Sequence, residues 1–234
     1  MANSATRFFD GKDPLFRFVE DPHEYHLGDL RLWSPSSAMK QIGYVDTRPF
    51  TEAARLRGTH VHKATAIMDT GRVDSSTVSD SVLGYAMGWE KFCRDWNYRI
   101  RLREVPMYHP TLLYGVTPDS EGLTDHPLGL WKDRPTVVEM KTGDVKWWVC
   151  IQTAAQEETI KAWDVEPGVT RERLGVQVCV DGTYKKPVHF TDAHDRTVWR
   201  CLLTACQRLG EPPKQEKGED KLSSVIEMLQ QIGG

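Results

Sequence analysis

"TVVEMKTG", residues 136–143, carries an apolar run into an acid and a base two positions apart, Glu139 and Lys141. Side chains alternate faces along a β-strand, so both point the same way at the strand's end, just before Thr142 and Gly143. A Glu-x-Lys pair is on its own an ordinary surface ion pair. The alternative is a metal site with a catalytic lysine, and the choice depends on what the rest of the chain brings to this strand.

Downstream, "WVCIQTAAQEETIKAW" (148–163) reads as a helix. "RLGVQVCVDGTYKKPVHF" (173–190) is then a hairpin about Asp181 and Gly182, and "DRTVWRCLLTACQRLG" (195–210) a helix with an Asp start and a Gly stop. Upstream, "RIRLREVPMYH", "TLLYGVTPDSEGL" and "PTVVEMKTG" read as three successive strands of one sheet. Before them come a helix at "SVLGYAMGWEKFCRDW" and another over 49–69. The latter has Leu56, Val61, Ala64, Ile67 and Met68 on its inner side and Arg55, Thr59 and His62 on a neighbouring face. "SPSSAMKQIG" reads as a short helix, and "FRFVEDPHEYHLGDLRLW" as a hairpin turning at Gly28 and Asp29.

This order predicts an α/β fold: a mixed central β-sheet flanked by helices, with one helix crossing from the third strand to a fourth. Residues 1–210 form a single domain. Residues 211–221 read as a polar linker, and 222–234 as a short amphipathic helix with Leu222, Val225, Ile226, Leu229 and Ile232 on one stripe.

At 234 residues, 39% hydrophobic and 27% charged, the chain can bury a substantial core. Neither a secretory signal nor a run long enough to cross a bilayer is legible, so a cytoplasmic location without a membrane is expected. Five cysteines without tight pairing fit a reducing compartment and inert thiols. A net charge of −3 does not advertise nucleic-acid binding, although a local basic surface would suffice. Arg99, Arg101 and Arg103 alternate with Ile100 and Leu102, and Arg55, Arg57, His60 and Lys63 cluster on one helix. Either set is ordinarily a solvated face. Trp147 and Trp148 follow the lysine strand; they read as core, with stacking on bases of a frayed DNA end as the alternative.

"YGVTPDSEG" precedes the lysine strand. Gly115 marks a bulge or a close backbone approach, and Asp119 ends that strand behind Pro118. Paired neighbours in a meander would bring Asp119 beside Glu139. Two adjacent carboxylates repel unless a cation lies between them, and hard oxygen ligands suit Mg²⁺ or Mn²⁺. Lys141 would sit at the edge of that site, where it could orient or help deprotonate a water.

Asp119 followed by Glu139-Met140-Lys141 on the next strand resembles the PD-(D/E)xK nuclease signature. The neighbouring motifs are similar to those of its RecB-like exonuclease branch: Gly58, Thr59 and His62 in "RGTHVH" for a Gly-Thr-x-x-His helix, and Gln152 in "IQTAAQ" for a Gln-x-x-x-Tyr helix. Gln156 stands where that pattern has tyrosine. The match runs from residue 15 to about residue 207.

The resemblance implies a restriction-endonuclease-like core and a metal-dependent DNA exonuclease of phage or bacterial recombination. One or two Mg²⁺ or Mn²⁺ ions would be held by His62, Asp119, Glu139 and the Met140 carbonyl, with Lys141 and Gln152 catalytic beside Asp119 and Glu139. Arg55, Arg57, Thr59 and Lys63 would contact DNA, with Arg55 as a phosphate clamp. Glu104 reads as a surface carboxylate, or as a supporting one behind the site. The cysteine pattern that ligates an iron–sulfur cluster in some relatives is not met by Cys93, Cys201 and Cys206, so no cluster is expected. The chain would act alone, as a homo-oligomer, or beside an annealing or recombination protein. An internally cutting endonuclease of the same fold and a catalytically inactive DNA-binding scaffold are the other readings.

Overall fold

The computed structural model describes residues 13–45, 51–69, 79–164 and 168–213. The amphipathic stretch 222–234 and most of the polar linker lie outside the described residues.

Three short strands open the fold: β1 (Phe16–Val19), β2 (Glu24–Leu27) and β3 (Leu30–Leu32) form an antiparallel meander. The expected turn at Gly28 and Asp29 joins β2 to β3, with Gly28 at φ 58°. β1 adds a third strand to the hairpin. α1 (Pro35–Gln41) starts on Ser34, which closes a capping box with Ser37. α2 (Glu52–Met68) is capped by Thr51, and α3 (Asp80–Asp95) follows.

The central sheet has five strands in the order β10-β9-β8-β7-β4. These are β4 (Arg99–Arg103), β7 (Ser120–Thr124), β8 (Arg134–Lys141), β9 (Glu172–Gln177) and β10 (Val188–His189). β4, β7 and β8 pair antiparallel, and β9 pairs parallel to β8 after the crossover through α4 (Val149–Trp163). The sheet is therefore mixed, and the expected crossover helix is present. The three expected strands are not a simple meander, however. β5 (Met107–Tyr108) and β6 (Gly115–Val116) leave the main sheet and pair as a separate two-stranded ladder. Gly115 is there for close approach: a Cβ would stand 2.1 Å from the ring of Tyr25.

The sheet divides the core in two. Val137 packs with Ile151, Ala155 and Ile160 of α4 and with Trp199 and Leu203 of α5 (His194–Arg208). Val138 and Met140 pack with Val61 of α2 and with Trp89 and Phe92 of α3. The inner side of α2 differs from expectation. Leu56 and Ile67 are exposed, whereas Thr65 is fully buried. Thr65 tolerates burial because its hydroxyl donates to the carbonyls of Val61 and His62, both at 3.0 Å. Among the described residues, no helix is long and apolar enough to cross a membrane.

Candidate functional site

The site is built where β7 begins and β8 ends. Ser120 pairs with Val138, so one antiparallel step further brings Asp119 level with Glu139. The junction is fixed by a side-chain bond: the backbone N–H of Met140 donates to Asp119 Oδ2 at 2.7 Å. An extended residue turns its N–H and its C=O toward the same neighbouring strand. The Met140 carbonyl therefore faces the side on which Asp119 lies. Glu139 is buried, and both of its oxygens are occupied. Lys141 Nζ donates to Oε1 at 2.6 Å, and Gln156 Nε2 donates to Oε2 at 2.8 Å.

His62 enters from α2. Its Nδ1 lies 3.1 Å from Glu104 Oε1 and 3.6 Å from Asp119 Oδ1. A carboxylate only accepts, so Nδ1–H is the donor to Glu104. Glu104 reaches this position because the residue after β4 turns back with φ 48°, in the left-handed region, while its N–H donates to the Asp119 carbonyl at 3.2 Å. Such a conformation costs on the order of 1–3 kcal/mol in a residue other than glycine, so the surroundings must hold it. Arg103 Nη1 donates to the same Asp119 carbonyl at 3.2 Å. Behind the loop, Tyr25 shares a 2.8 Å hydroxyl bond with Thr117.

The electrostatics follow from this packing. Burial, then Glu139 beside it, pushes the Asp119 carboxyl above its ordinary range, and His62 and Lys141 only partly offset this. Burial alone would lower Lys141, but the carboxylates of Glu139 and Asp119 outweigh it and hold the ammonium protonated. Burial likewise works to lower His62, and Asp119 and Glu104 raise it on balance. For Glu104, burial raises the carboxyl, and the bond to His62 brings it below its usual value.

Asp119, Glu139, Met140, Lys141 and His62 are thus brought together as the sequence predicts, and Glu104 joins them through His62. Gln152 is not part of this set of contacts. It lies one turn before Gln156 on α4, and its side-chain oxygen is buried with no hydrogen-bond partner among the described residues. The side chain that holds Glu139 is Gln156, the departure from the tyrosine pattern. Its signal in the sequence was the i, i+4 spacing from Gln152, which puts both glutamines on one helix face.

The basic candidates fare less well. Arg55 makes a two-pronged pair with Glu52 (2.9 and 2.5 Å), and Thr59 donates to the Arg55 carbonyl. Lys63 pairs with Glu20 at 3.0 Å. The Nε of Arg57 is buried without a partner among the described residues. The basic face expected on β4 is taken up in ion pairs within the chain, exposed at Arg99 and more buried at Arg101 and Arg103. Arg99 pairs with Asp133, Arg101 with Glu121, and Arg103 with Asp69 and Thr65. A bulge between Ile100 and Leu102 breaks the alternation that predicted that face. Trp148 is half-buried as core, 5.6 Å from Lys141 Nζ, whereas Trp147 is exposed.

Two carboxylates, a backbone carbonyl and an imidazole are the donor set of a hard divalent ion. Among the described residues no group of three or more His, Cys, Asp or Glu is placed so that it could hold a metal ion by itself. Mg²⁺ does not need one, because it keeps several waters and binds through one or two carboxylates together with substrate phosphate. The unbalanced negative charge at Asp119 and Glu139 fits such an ion. With Nδ1–H committed to Glu104, ligation by His62 would fall to its other ring nitrogen and needs a neutral ring, so proton and metal compete there. In comparisons with known proteins, no family model matches the chain and no curated protein matches it.

Proposed function

We propose that the chain is a metal-dependent DNA exonuclease with a restriction-endonuclease-like core, acting on linear ends in phage or bacterial recombination, alone or beside an annealing protein. One observation carries the reading. Asp119, clamped by the Met140 N–H, is set level with Glu139 at the sheet's end, where the Lys141 ammonium bonds Glu139: two carboxylates with one ammonium beside them.

Asp119, Glu139, the Met140 carbonyl and His62 would hold Mg²⁺ or Mn²⁺. When bound, such an ion polarises the phosphoryl oxygen and makes water a nucleophile near neutral pH. The chain's own residues do the positioning. Gln156 and Lys141 each hold one oxygen of Glu139 and fix its plane. With its proton held by the adjacent carboxylates, Lys141 is a donor, suited to orienting the attacking water and to neutralising charge that develops on the phosphate. Glu104 holds the imidazole of His62 by one ring nitrogen and so sets its orientation. Arg57, on the same helix, is the α2 cation we assign to a backbone phosphate.

The test is cleavage of a labelled oligonucleotide duplex by the wild type and by Glu139→Gln, with Mg²⁺ or Mn²⁺ added. Degradation by the wild type and none by the variant supports the reading; equal cleavage by both removes Glu139 from the chemistry.

A further inference from the structure

Tyr25 belongs to β2 of the N-terminal meander, outside the central sheet, yet its side chain reaches the segment that leads into the site. The ring is buried, packed against Phe18 and His23 (centroids 5.0 and 5.3 Å away) and over Gly115, where a Cβ would collide with it. Its hydroxyl is bonded twice: His23 Nε2 lies 2.9 Å away and Thr117 Oγ1 2.8 Å. A phenol offers one donor and its lone pairs, so one hydroxyl serves both neighbours. Burial raises the proton affinity of the phenol, the Thr117 bond offsets part of this, and the carboxylates of Glu139 and Asp119 raise it further. The proton therefore stays on the oxygen at any pH the protein works in, and the bond persists.

Thr117 stands two residues before Asp119, with Pro118 between them. Proline fixes its own φ and confines the residue before it to extended backbone, so Thr-Pro is a stiff dipeptide. Holding the Thr117 side chain therefore sets where the chain delivers Asp119. The other grips on Asp119 act at or beyond the residue itself. The Met140 N–H holds Oδ2, and the Glu104 N–H and Arg103 Nη1 hold the carbonyl. Tyr25 supplies a hold on the N-terminal side.

We infer that Tyr25 is a positioning residue for the site, setting Asp119 against Glu139 through its hydroxyl bond to Thr117. The inference rests on the reading of Asp119 and Glu139 as metal ligands and deepens it, because it makes the N-terminal meander a working part of the site. Tyr25 touches neither metal nor substrate in this role. It keeps Asp119 where an ion can bridge the two carboxylates, against the repulsion between them. Loss of the hydroxyl should therefore loosen metal binding while leaving metal-free DNA binding as it was.

Mn²⁺ binding to the DNA-free protein, followed through the paramagnetic signal of the free ion, tests this directly. Tyr25→Phe, which keeps the ring, is expected to bind Mn²⁺ about 10-fold more weakly than the wild type, the lower end of what partners behind metal ligands contribute. Thr117→Val should lose as much, and the double variant no more than either, because both remove one bond. Thr117→Ser keeps a hydroxyl and should stay within ~3-fold of the wild type. Binding of a labelled duplex in chelator should be the same for all these proteins. Equal Mn²⁺ affinity of Tyr25→Phe, Thr117→Val and wild type overturns the inference. A parallel loss of duplex binding also overturns it, since that marks a general loosening of the fold. Loss of Mn²⁺ binding in Glu139→Gln, measured alongside, then shows that the metal site itself survives. Failure of the wild type to bind Mn²⁺ overturns both.

Discussion

Glu121 and Asp119 stand two residues apart, and both are largely buried, yet their surroundings are opposite in kind. Glu121 lies between two guanidinium groups, Arg101 and Arg171, and Arg171 in turn grips Asp164 with both terminal nitrogens at 2.6 and 2.8 Å. Two carboxylates meet two arginines, and their fork geometry satisfies lone pairs in parallel. Around Asp119 the count does not close. It shares its space with Glu139 and Glu104 against Lys141, an Arg103 that is also paired with Asp69, and a histidine whose charge depends on pH. The first cluster is finished without a ligand. The second is held together by the fold with more carboxylates than fixed cations, which suits the cation site proposed above.

That comparison can be broken from either side. The largest effect is expected in the closed cluster. Arg171→Met leaves Glu121 short of a partner and Asp164 unpaired in a dry environment, which should cost about 3–5 kcal/mol of folding stability in a urea titration. A loss within experimental scatter would mean the cluster is hydrated and the contrast with the site is false.

At the open cluster the same kind of change should act on rate. Asp119→Ala, Glu139→Ala and Lys141→Ala should each slow cleavage by ~100-fold or more, and double variants should not multiply these losses, because the groups act as a unit. Stability should move little, and Asp119→Asn should leave the metal-free protein as stable as the wild type or more so, since it relieves repulsion from Glu139. Near-normal cleavage by Lys141→Ala would return the Glu139–Lys141 pair to a structural ion pair.

Smaller effects should come from the ring around the site. Glu104→Gln should weaken metal support by ~10-fold, by loosening the orientation of His62, and His62→Ala should lower Mn²⁺ support relative to Mg²⁺. Asp119 and His62 both have their proton affinity raised, so both hold protons more tightly as pH falls and both then compete with the metal. The metal concentration giving half-maximal cleavage should therefore rise on going from mildly alkaline to mildly acidic buffer; a flat response would exclude both groups as ligands.

The least effect is expected on α2. Arg57→Ala should reduce the salt slope of DNA binding by ~1 with uniform weakening across sequences. Arg55→Ala, whose guanidinium is committed to Glu52, should change binding by less than ~2-fold. The reverse order would restore Arg55 as the phosphate clamp.

The two clusters also differ in how far the sequence discloses them. The helix crossing between parallel strands follows from periodicity and turn residues alone, because each of those signals is local. Asp119, Glu139 and Lys141 are legible for the same reason: a strand's alternation fixes the faces of Glu139 and Lys141, and pairing of neighbouring strands delivers Asp119. The closed cluster is not legible, since Arg171 meets Glu121 across 50 positions and local pattern says nothing of it. The bulge in β4 spoils the alternation of Arg99, Arg101 and Arg103 without any residue announcing it. Buried polar groups on helices mislead in the same way. Thr65 is absent from the inner side read for its helix, yet it is buried with its hydroxyl bonding that helix, and Gln156, read only as a departure from the tyrosine pattern, holds Glu139. Trp147 reverses the error: an aromatic residue is expected inside, and this one is outside.

The most direct test of the central claim is to incubate end-labelled linear duplex and closed circular DNA with the protein, with Mg²⁺ and with excess chelator. Mg²⁺ is expected to support loss of the linear DNA from its ends while the circle survives, and chelator to protect both. Full activity in chelator would contradict the metal-dependent site at Asp119 and Glu139, and equal attack on the circle would contradict the dependence on ends.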